Sequence, residues 1–293
     1  MLEMKHVTKT FGTFKALDDL NLTVPKGAVY GLVGPNGAGK STAIRHLTGV
    51  YRPDCGEVRM DGQAVYENNP IKERMGHIPD DIFFFPSATL EEMRKYYKGM
   101  YPKFDDALFE KLHEVFQLPK KSQIRRFSKG MQKQAAFQLT IASRPDVMIL
   151  DEPVDGLDPV MRRQVWSLIL SDVAQYETTV LVSSHNLREL EDVCDHVGIM
   201  DHGKMLLERS LADMQGTTCK LQIVGEVPQG LNILHESNSG RLKTLVIRGS
   251  TEEVIARVQA TNPIYFDVLP LSLEEIFIYE LGGVNYEVKN IVL

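Results

Sequence analysis

Residues 30–42 have the sequence Tyr-Gly-Leu-Val-Gly-Pro-Asn-Gly-Ala-Gly-Lys-Ser-Thr. Within them, the pattern G-x-x-x-x-G-K-[ST] runs from Gly34 to Ser41. The apolar run at residues 28–33 predicts a buried strand before this pattern, and the spacing of residues 41–48 predicts a helix after it. A strand, a glycine-rich loop and a helix in this order form a phosphate-binding loop, so we expect the chain to bind a nucleotide.

The glycines of this loop allow backbone N–H groups to turn inward and let phosphate oxygens approach closely, next to the positive end of the following helix. In such a loop the lysine reaches the β- and γ-phosphates, and the hydroxyl that follows binds Mg²⁺. The alternative is a glycine-rich turn with a solvated lysine, which the flanking strand and helix make less favourable. The candidate nucleotide-binding residues here are Gly34, Asn36, Gly37, Ala38, Gly39, Lys40, Ser41 and Thr42.

The length of 293 residues, 43% of them hydrophobic, is sufficient for one large domain or for a large and a small one. We expect two domains, at residues 1–215 and 216–293. In the second, alternating patterns at residues 220–224 and 241–248 predict strands, and residues 273–281 have helical spacing. We therefore predict a small accessory α+β domain, without a chemical motif.

The composition narrows the class of protein. A formal net charge of −6 gives no general electrostatic reason to expect nucleic acid as a partner. No run reaches the ~18 consecutive apolar residues of a membrane span, and the first residues lack the apolar region of a signal peptide, so we expect a cytosolic chain. Cys55, Cys194 and Cys219 are too scattered for a metal or disulfide framework, and we interpret them as reduced thiols.

Two carboxylates follow a second predicted buried strand. Residues 147–150 are apolar and lead directly into Asp151 and Glu152. The carboxyl ends of the strands face the ligand in a doubly wound sheet, so we expect Asp151 to hold the hydration shell of Mg²⁺ and Glu152 to polarise an attacking water. Paired acids at a strand end are often only solvated, but a phosphate loop upstream favours the catalytic role. Another strand, at residues 179–183, brings His185 to the same edge, where we expect it to contact the γ-phosphate.

A helix start later in the chain is a second candidate for contact with an anion. Residues 128–143 have a helical pattern with Ser128 as the predicted N-cap and Gly130 in the first turn. Free N–H groups at such an end can bind an anion, but many helices begin in the same way, so the motif alone is weak.

Aromatic residues mark two other places. Residues 82–86, Ile-Phe-Phe-Phe-Pro, come shortly after Asp80. They form either a buried loop or a patch on which a partner docks, because three successive phenylalanines cannot all face one core. Phe11, upstream of the phosphate loop, can stack on an adenine or belong to the core.

Taken together, these motifs and their order resemble those of the ATP-binding cassette (ABC) ATPases, over residues 1 to about 215. The residues that carry the resemblance are 34–42, Ser128 with Gly130, 149–153, Gly156 to Asp158, and His185. The resemblance implies an α/β P-loop cassette with a mixed sheet core and an antiparallel β subdomain. It also implies an α-helical subdomain at about residues 86–145.

The resemblance further implies how the residues act. Two cassettes pair head to tail, so that the helix start at Ser128 in one copy closes over ATP held by the other. Phe11 corresponds to the adenine-stacking aromatic, Asp158 to the loop that crosses the dimer, and His185 to the switch histidine. Asp80 occupies the place of a glutamine that binds Mg²⁺, a role that a carboxylate can also fill. ATP and Mg²⁺ are therefore the expected cofactors.

The chain departs from the family pattern in two further positions. The usual Leu-Ser-Gly-Gly-Gln signature is Phe-Ser-Lys-Gly-Met at residues 127–131, and Val154 stands where threonine is commoner. With the appended C-terminal domain, these features resemble the separate ATPase subunits of bacterial drug, bacteriocin and toxic-peptide exporters. The implied function is ATP hydrolysis that powers export through separately encoded membrane subunits, on the inner face of the cell membrane. A homodimer is slightly favoured over a heterodimer.

Two other functions are alternatives to export. A translation factor carries two cassettes in one chain, and a chromosome-organising ATPase inserts a long coiled coil between the positions of Lys40 and Ser128, which here are only 88 residues apart (128 − 40). The length therefore disfavours both. A regulatory or sensory ATPase that signals through a partner stays open, and co-purification with membrane chains would discriminate it from a transporter subunit.

Overall fold

The structure is a computed structural model that describes residues 1–275, apart from the side chains of residues 215–217. The described β-strands are β1 (Leu2–Phe11), β2 (Phe14–Val24), β3 (Val29–Val33), β4 (Cys55–Met60), β5 (Gln63–Ala64), β6 (Met75–Ile78), β7 (Val147–Asp151), β8 (Thr179–Ser184), β9 (His196–Asp201), β10 (Lys204–Ser210), β11 (Thr218–Val224), β12 (Asn232–Ser239), β13 (Leu242–Arg248) and β14 (Tyr265–Pro270). The described α-helices are α1 (Lys40–Leu47), α2 (Asn69–Lys72), α3 (Leu90–Met100), α4 (Asp106–Phe116), α5 (Lys129–Ala142), α6 (Pro159–Tyr176), α7 (Arg188–Glu191), α8 (Leu211–Thr217) and α9 (Thr251–Gln259).

The strands that precede the predicted site residues belong to a six-stranded sheet. Its strand order is β10-β9-β3-β8-β7-β6, and β9, β3, β8, β7 and β6 pair in parallel. Every residue of β3, β7 and β8 is buried, as expected for parallel strands covered on both faces. The predicted buried strands are thus confirmed, and the carboxyl ends of β3, β7 and β8 meet at one edge of the sheet.

An antiparallel sheet forms the predicted β subdomain, with the order β2-β1-β4-β5. Leu2 and Met4 of β1 are buried and alternate with more exposed residues, so that one face of this sheet joins the core. The turn between β4 and β5 is Asp61-Gly62, and both residues have positive φ. Positive φ at both central residues is typical of a two-residue hairpin turn.

The helical region contains α3, α4 and α5. Thr89 caps α3 in a reciprocal pair with Glu92, and Pro102 lies between α3 and α4. The hydroxyl oxygen of Ser128 accepts a hydrogen bond from the Met131 N–H at 3.2 Å, which confirms Ser128 as the N-cap of α5. The observed α/β cassette, with its antiparallel sheet and helical region, is the predicted fold class.

The chain forms two compact units, one of Met1–His185 with His196–Glu208 and one of Asn186–Asp195 with the residues from Arg209 onward. In the second unit, an antiparallel sheet of order β12-β13-β11-β14 packs apolar side chains against α9. The sequence predicted β11 and β13 but not β12 or β14. Of the helix predicted at residues 273–281, residues 276–281 lie outside the described residues.

None of the helices described up to residue 275 combines the length and the apolar character that a membrane crossing requires. The three cysteines are free thiols, with Cys55 exposed and Cys194 and Cys219 buried.

Candidate functional site

The phosphate loop connects β3 to α1 in the conformation that its glycines permit. Gly37 and Gly39 have φ values of +85° and +105°, in the region that residues with a side chain rarely adopt. Gly34 is required for a different reason, because a Cβ atom there would overlap the main-chain oxygen of Met200 at the end of β9. The ammonium group of Lys40 donates to the main-chain oxygen of Gly34 at 2.6 Å.

A small cavity of about 280 Å³ lies over this loop. It brings together seven of the eight predicted loop residues with Asp80 and Glu152. Its lining residues are Phe14, Ala16, Pro35, Asn36, Gly37, Ala38, Gly39, Lys40, Ser41, Thr42, Asp80 and Glu152.

The two predicted carboxylates lie at the carboxyl end of β7, where the hydroxyl of Ser183 on β8 organises both residues. This hydroxyl donates to Oδ1 of Asp151 at 2.5 Å and accepts from the N–H of Glu152 at 3.1 Å. Asp151 is buried, and Glu152 has φ of +46° although it is not a glycine. Because of this left-handed conformation, the side chain of Glu152 points in a different direction from the one it would have if β7 continued.

The Glu152 carboxylate is held between two basic groups. Its Oε2 atom lies 3.1 Å from Nδ1 of His185, and its Oε1 atom lies 3.9 Å from Nζ of Lys40. Burial raises the pKa of Glu152, and His185 and Lys40 oppose that rise. Burial also lowers the pKa of Lys40, which Glu152 and Asp151 oppose. A carboxylate with a raised pKa next to the lysine of this loop is suited to accept a proton from a water.

Phe11, the predicted adenine-stacking residue, is not among the residues that line the cavity, and its stacking role stays a prediction. Phe14 lines the cavity and is 64% exposed. The ring of Phe11 instead lies edge-on to Tyr51, with 5.6 Å between ring centroids, and under the ammonium of Lys9. Phe11 and Phe14 are paired across the β1–β2 hairpin, so sequence alone could not tell which ring faces the loop.

The residues expected to act across a dimer lie outside the lining of this cavity. Ser128 and Gly130 stand at the exposed start of α5. Asp158 is the N-cap of α6, where its carboxylate accepts from the N–H groups of Val160 and Met161, both at 3.0 Å. Both helix starts are thus well formed within one chain.

Lys133, for which no sequence motif predicts a role, also lies in this region. Its buried ammonium group donates to the main-chain oxygens of Glu152 at 2.7 Å and Asp155 at 2.8 Å. It also lies 3.9 Å from Oδ1 of Asp80. Burial lowers the pKa of Lys133, and the nearby carboxylates oppose that shift.

The family described as "ABC transporter" matches residues 17–155. The bacitracin transport ATP-binding protein BcrA of Bacillus licheniformis is 35% identical over 71% of this chain and 69% of its own length. The chain belongs to the ABC transporter ATP-binding proteins. This ABC ATPase binds ATP and couples its hydrolysis to transport.

Other relatives extend the match over the whole chain. The ABC transporter ATP-binding protein YtrB of Bacillus subtilis is 29% identical over 97% of this chain and 99% of its own length. A solved ATP-binding subunit of an ABC transporter superposes with a TM-score of 0.68 at 27% identity, over 73% of this chain and 92% of that one. A dimeric bacterial cassette, MJ0796, has the same fold, with a TM-score of 0.66 at 22% identity over 72% of this chain and 99% of that one.

Proposed function

We propose that this ABC ATPase powers the export of a drug, peptide or toxin through separately encoded integral membrane subunits. The observation that carries the proposal is the 35% identity to BcrA, which is named for bacitracin transport. The Nod factor export ATP-binding protein I of Burkholderia lata, 29% identical over 96% of this chain and 97% of its own length, supports the outward direction. The proposed location is the cytoplasmic face of the membrane.

The donor atoms at the site fit Mg²⁺. Ser41 and Asp80 line the same cavity, and Asp151 adds a buried carboxylate at the adjoining strand end. Mg²⁺ prefers oxygen ligands and is typically held by one or two carboxylates with phosphate oxygens and waters, so a hydroxyl with two carboxylates is an appropriate set. When bound, the ion would neutralise charge on the phosphates of ATP.

We assign Lys40 to the β- and γ-phosphates, Glu152 to the attacking water and His185 to the γ-phosphate. The other predicted loop residues supply N–H and hydroxyl groups to ATP; they are Gly34, Asn36, Gly37, Ala38, Gly39, Ser41 and Thr42. Lys40 and Glu152 line the same cavity, and His185 contacts Glu152 at the adjoining strand ends. These positions support the proposed roles.

We further propose that two copies of the chain form the working pair. Ser128, Gly130 and Asp158 would then serve the ATP held by the other copy, which agrees with their position outside the cavity of their own chain. We assign residues 1–215 to the ATPase domain and 216–293 to an accessory domain.

The test is to express the chain with membrane chains encoded by neighbouring genes. We expect the ATPase to co-purify with them and cells carrying the complex to resist a peptide or drug that cells carrying Glu152→Gln do not resist. A partner without membrane segments, together with unchanged resistance, would favour the regulatory or sensory alternative.

A further inference from the structure

One ammonium group connects three segments of the ATPase that are far apart in sequence. Lys133 projects from α5, the helix whose start carries Ser128. Its Nζ atom bonds the turn after β7 through the main-chain oxygens of Glu152 and Asp155, and it forms an ion pair with Asp80. Lysine rarely lies so fully buried without such partners, and here Lys133 is only 7% exposed.

The turn that Lys133 holds contains an unfavourable backbone conformation. Glu152 has a positive φ, which the Cβ atom of a non-glycine residue disfavours. Such a conformation persists where its surroundings enforce it. Here the N–H of Glu152 is fixed by Ser183, and its main-chain oxygen is fixed by Lys133. The position of the Glu152 carboxylate beside His185 depends on both anchors.

We infer that Lys133 is a positioning residue for Glu152, an inference that rests on the catalytic role proposed above for that carboxylate. Its ammonium group keeps Glu152 in the left-handed conformation and joins the 152–155 turn to α5 and to Asp80. Lys133 is not among the residues that line the phosphate-loop cavity. Its removal should therefore displace the Glu152 carboxylate while leaving the phosphate loop intact.

The experiment is a double-mutant cycle on single-turnover hydrolysis of labelled ATP, with Lys133→Met, Glu152→Gln and the double variant. We expect Lys133→Met to lower the rate roughly 10- to 100-fold, because a displacement of about 1 Å can cost that much. ATP affinity should stay within about threefold of wild type, and Lys133→Met should lower the slow Glu152→Gln rate no further. Lys95→Met, an exposed change on α3, is the control.

Three results would overturn the inference: a wild-type rate for Lys133→Met, an equal loss in the Glu152→Gln background, or a parallel loss of ATP affinity. Lys133→Arg keeps donors for the two carbonyl groups and should recover part of the lost rate, whereas no recovery would also count against positioning. If Lys133→Met does not fold, Lys133→Gln is measured in the same cycle, with the same expected pattern. A wild-type rate for Glu152→Gln alone would instead refute the proposed role of Glu152.

Discussion

The Nδ1 atom of His185 lies 3.1 Å from the Oε2 atom of Glu152, although the two residues come from the ends of different strands. The pair forms because β7 and β8 are parallel neighbours in the central sheet. Each side chain therefore restricts the orientation of the other. The arrangement places a carboxylate with a raised pKa beside the phosphate loop, as a general base requires.

Glu152→Gln should bind ATP normally but hydrolyse it about 10²- to 10⁴-fold more slowly, because the amide keeps the shape of the side chain and cannot accept a proton from water. Phosphate release and nucleotide binding measure the two effects separately. Glu177→Gln is a matched control. Glu177 also has a positive φ, but it is exposed and its carboxylate bonds Lys26 and no residue of the phosphate loop. Wild-type turnover by Glu152→Gln would move the search for the base to His185 or Asp80.

Phe14→Ala should weaken ATP binding roughly tenfold and more than Phe11→Ala does, because the exposed ring of Phe14 borders the phosphate-loop cavity. Stacking of a base on an aromatic ring contributes about 1–3 kcal/mol. Binding of tripolyphosphate, which has no base, should be the same for both variants and wild type. A larger loss of ATP affinity with Phe11→Ala would identify Phe11 as the stacking residue.

Phe83→Ser with Phe85→Ser should release the membrane partner and leave the isolated chain folded. The two rings are 78% and 48% exposed, so the segment is a surface patch and not the buried loop. Truncation of an aromatic hot spot at an interface typically costs about 2 kcal/mol or more of binding free energy.

Co-purification and thermal melting are the measurements for this prediction. Ile264→Ser with Tyr265→Ser, at exposed positions of the second unit, is the control. Unfolding of the Phe83 and Phe85 variant would show that these rings stabilise the core.

Mixed dimers should reveal whether each ATP site combines residues of two chains. A Lys40→Ala chain paired with a Ser128→Arg chain combines both defects in one site and leaves the other intact. With Glu152→Gln in both chains to block turnover, the mixture should trap about one ATP per mixed dimer, whereas neither variant alone should close. Native mass spectrometry counts the chains and nucleotides. No recovery would contradict a homodimer in which one filled site is sufficient for closure.

The local motifs were predictable because each is contiguous in sequence. The strand, loop and helix around Lys40 follow from hydrophobic pattern and glycine spacing, as does the apolar strand before Asp151. The strands β12 and β14 were missed because most of β12 is exposed and β14 ends at a proline, so neither shows a clear alternation. Lys133 was missed for another reason. A lysine in a helix is usually solvated, and only the packing of distant segments buries this one.

Contacts within the protein itself fix the phosphate loop from several sides. Gly34 lies against Met200, the Gly203 N–H donates to the main-chain oxygen of Ala38 at 2.9 Å, and Lys40 bonds the main chain of its own loop. The loop therefore loses most of its conformational entropy during folding and little on binding. We expect the first encounter with ATP to be fast, with slow steps confined to later closure between subunits. ATP binding would then require no separate step of loop ordering.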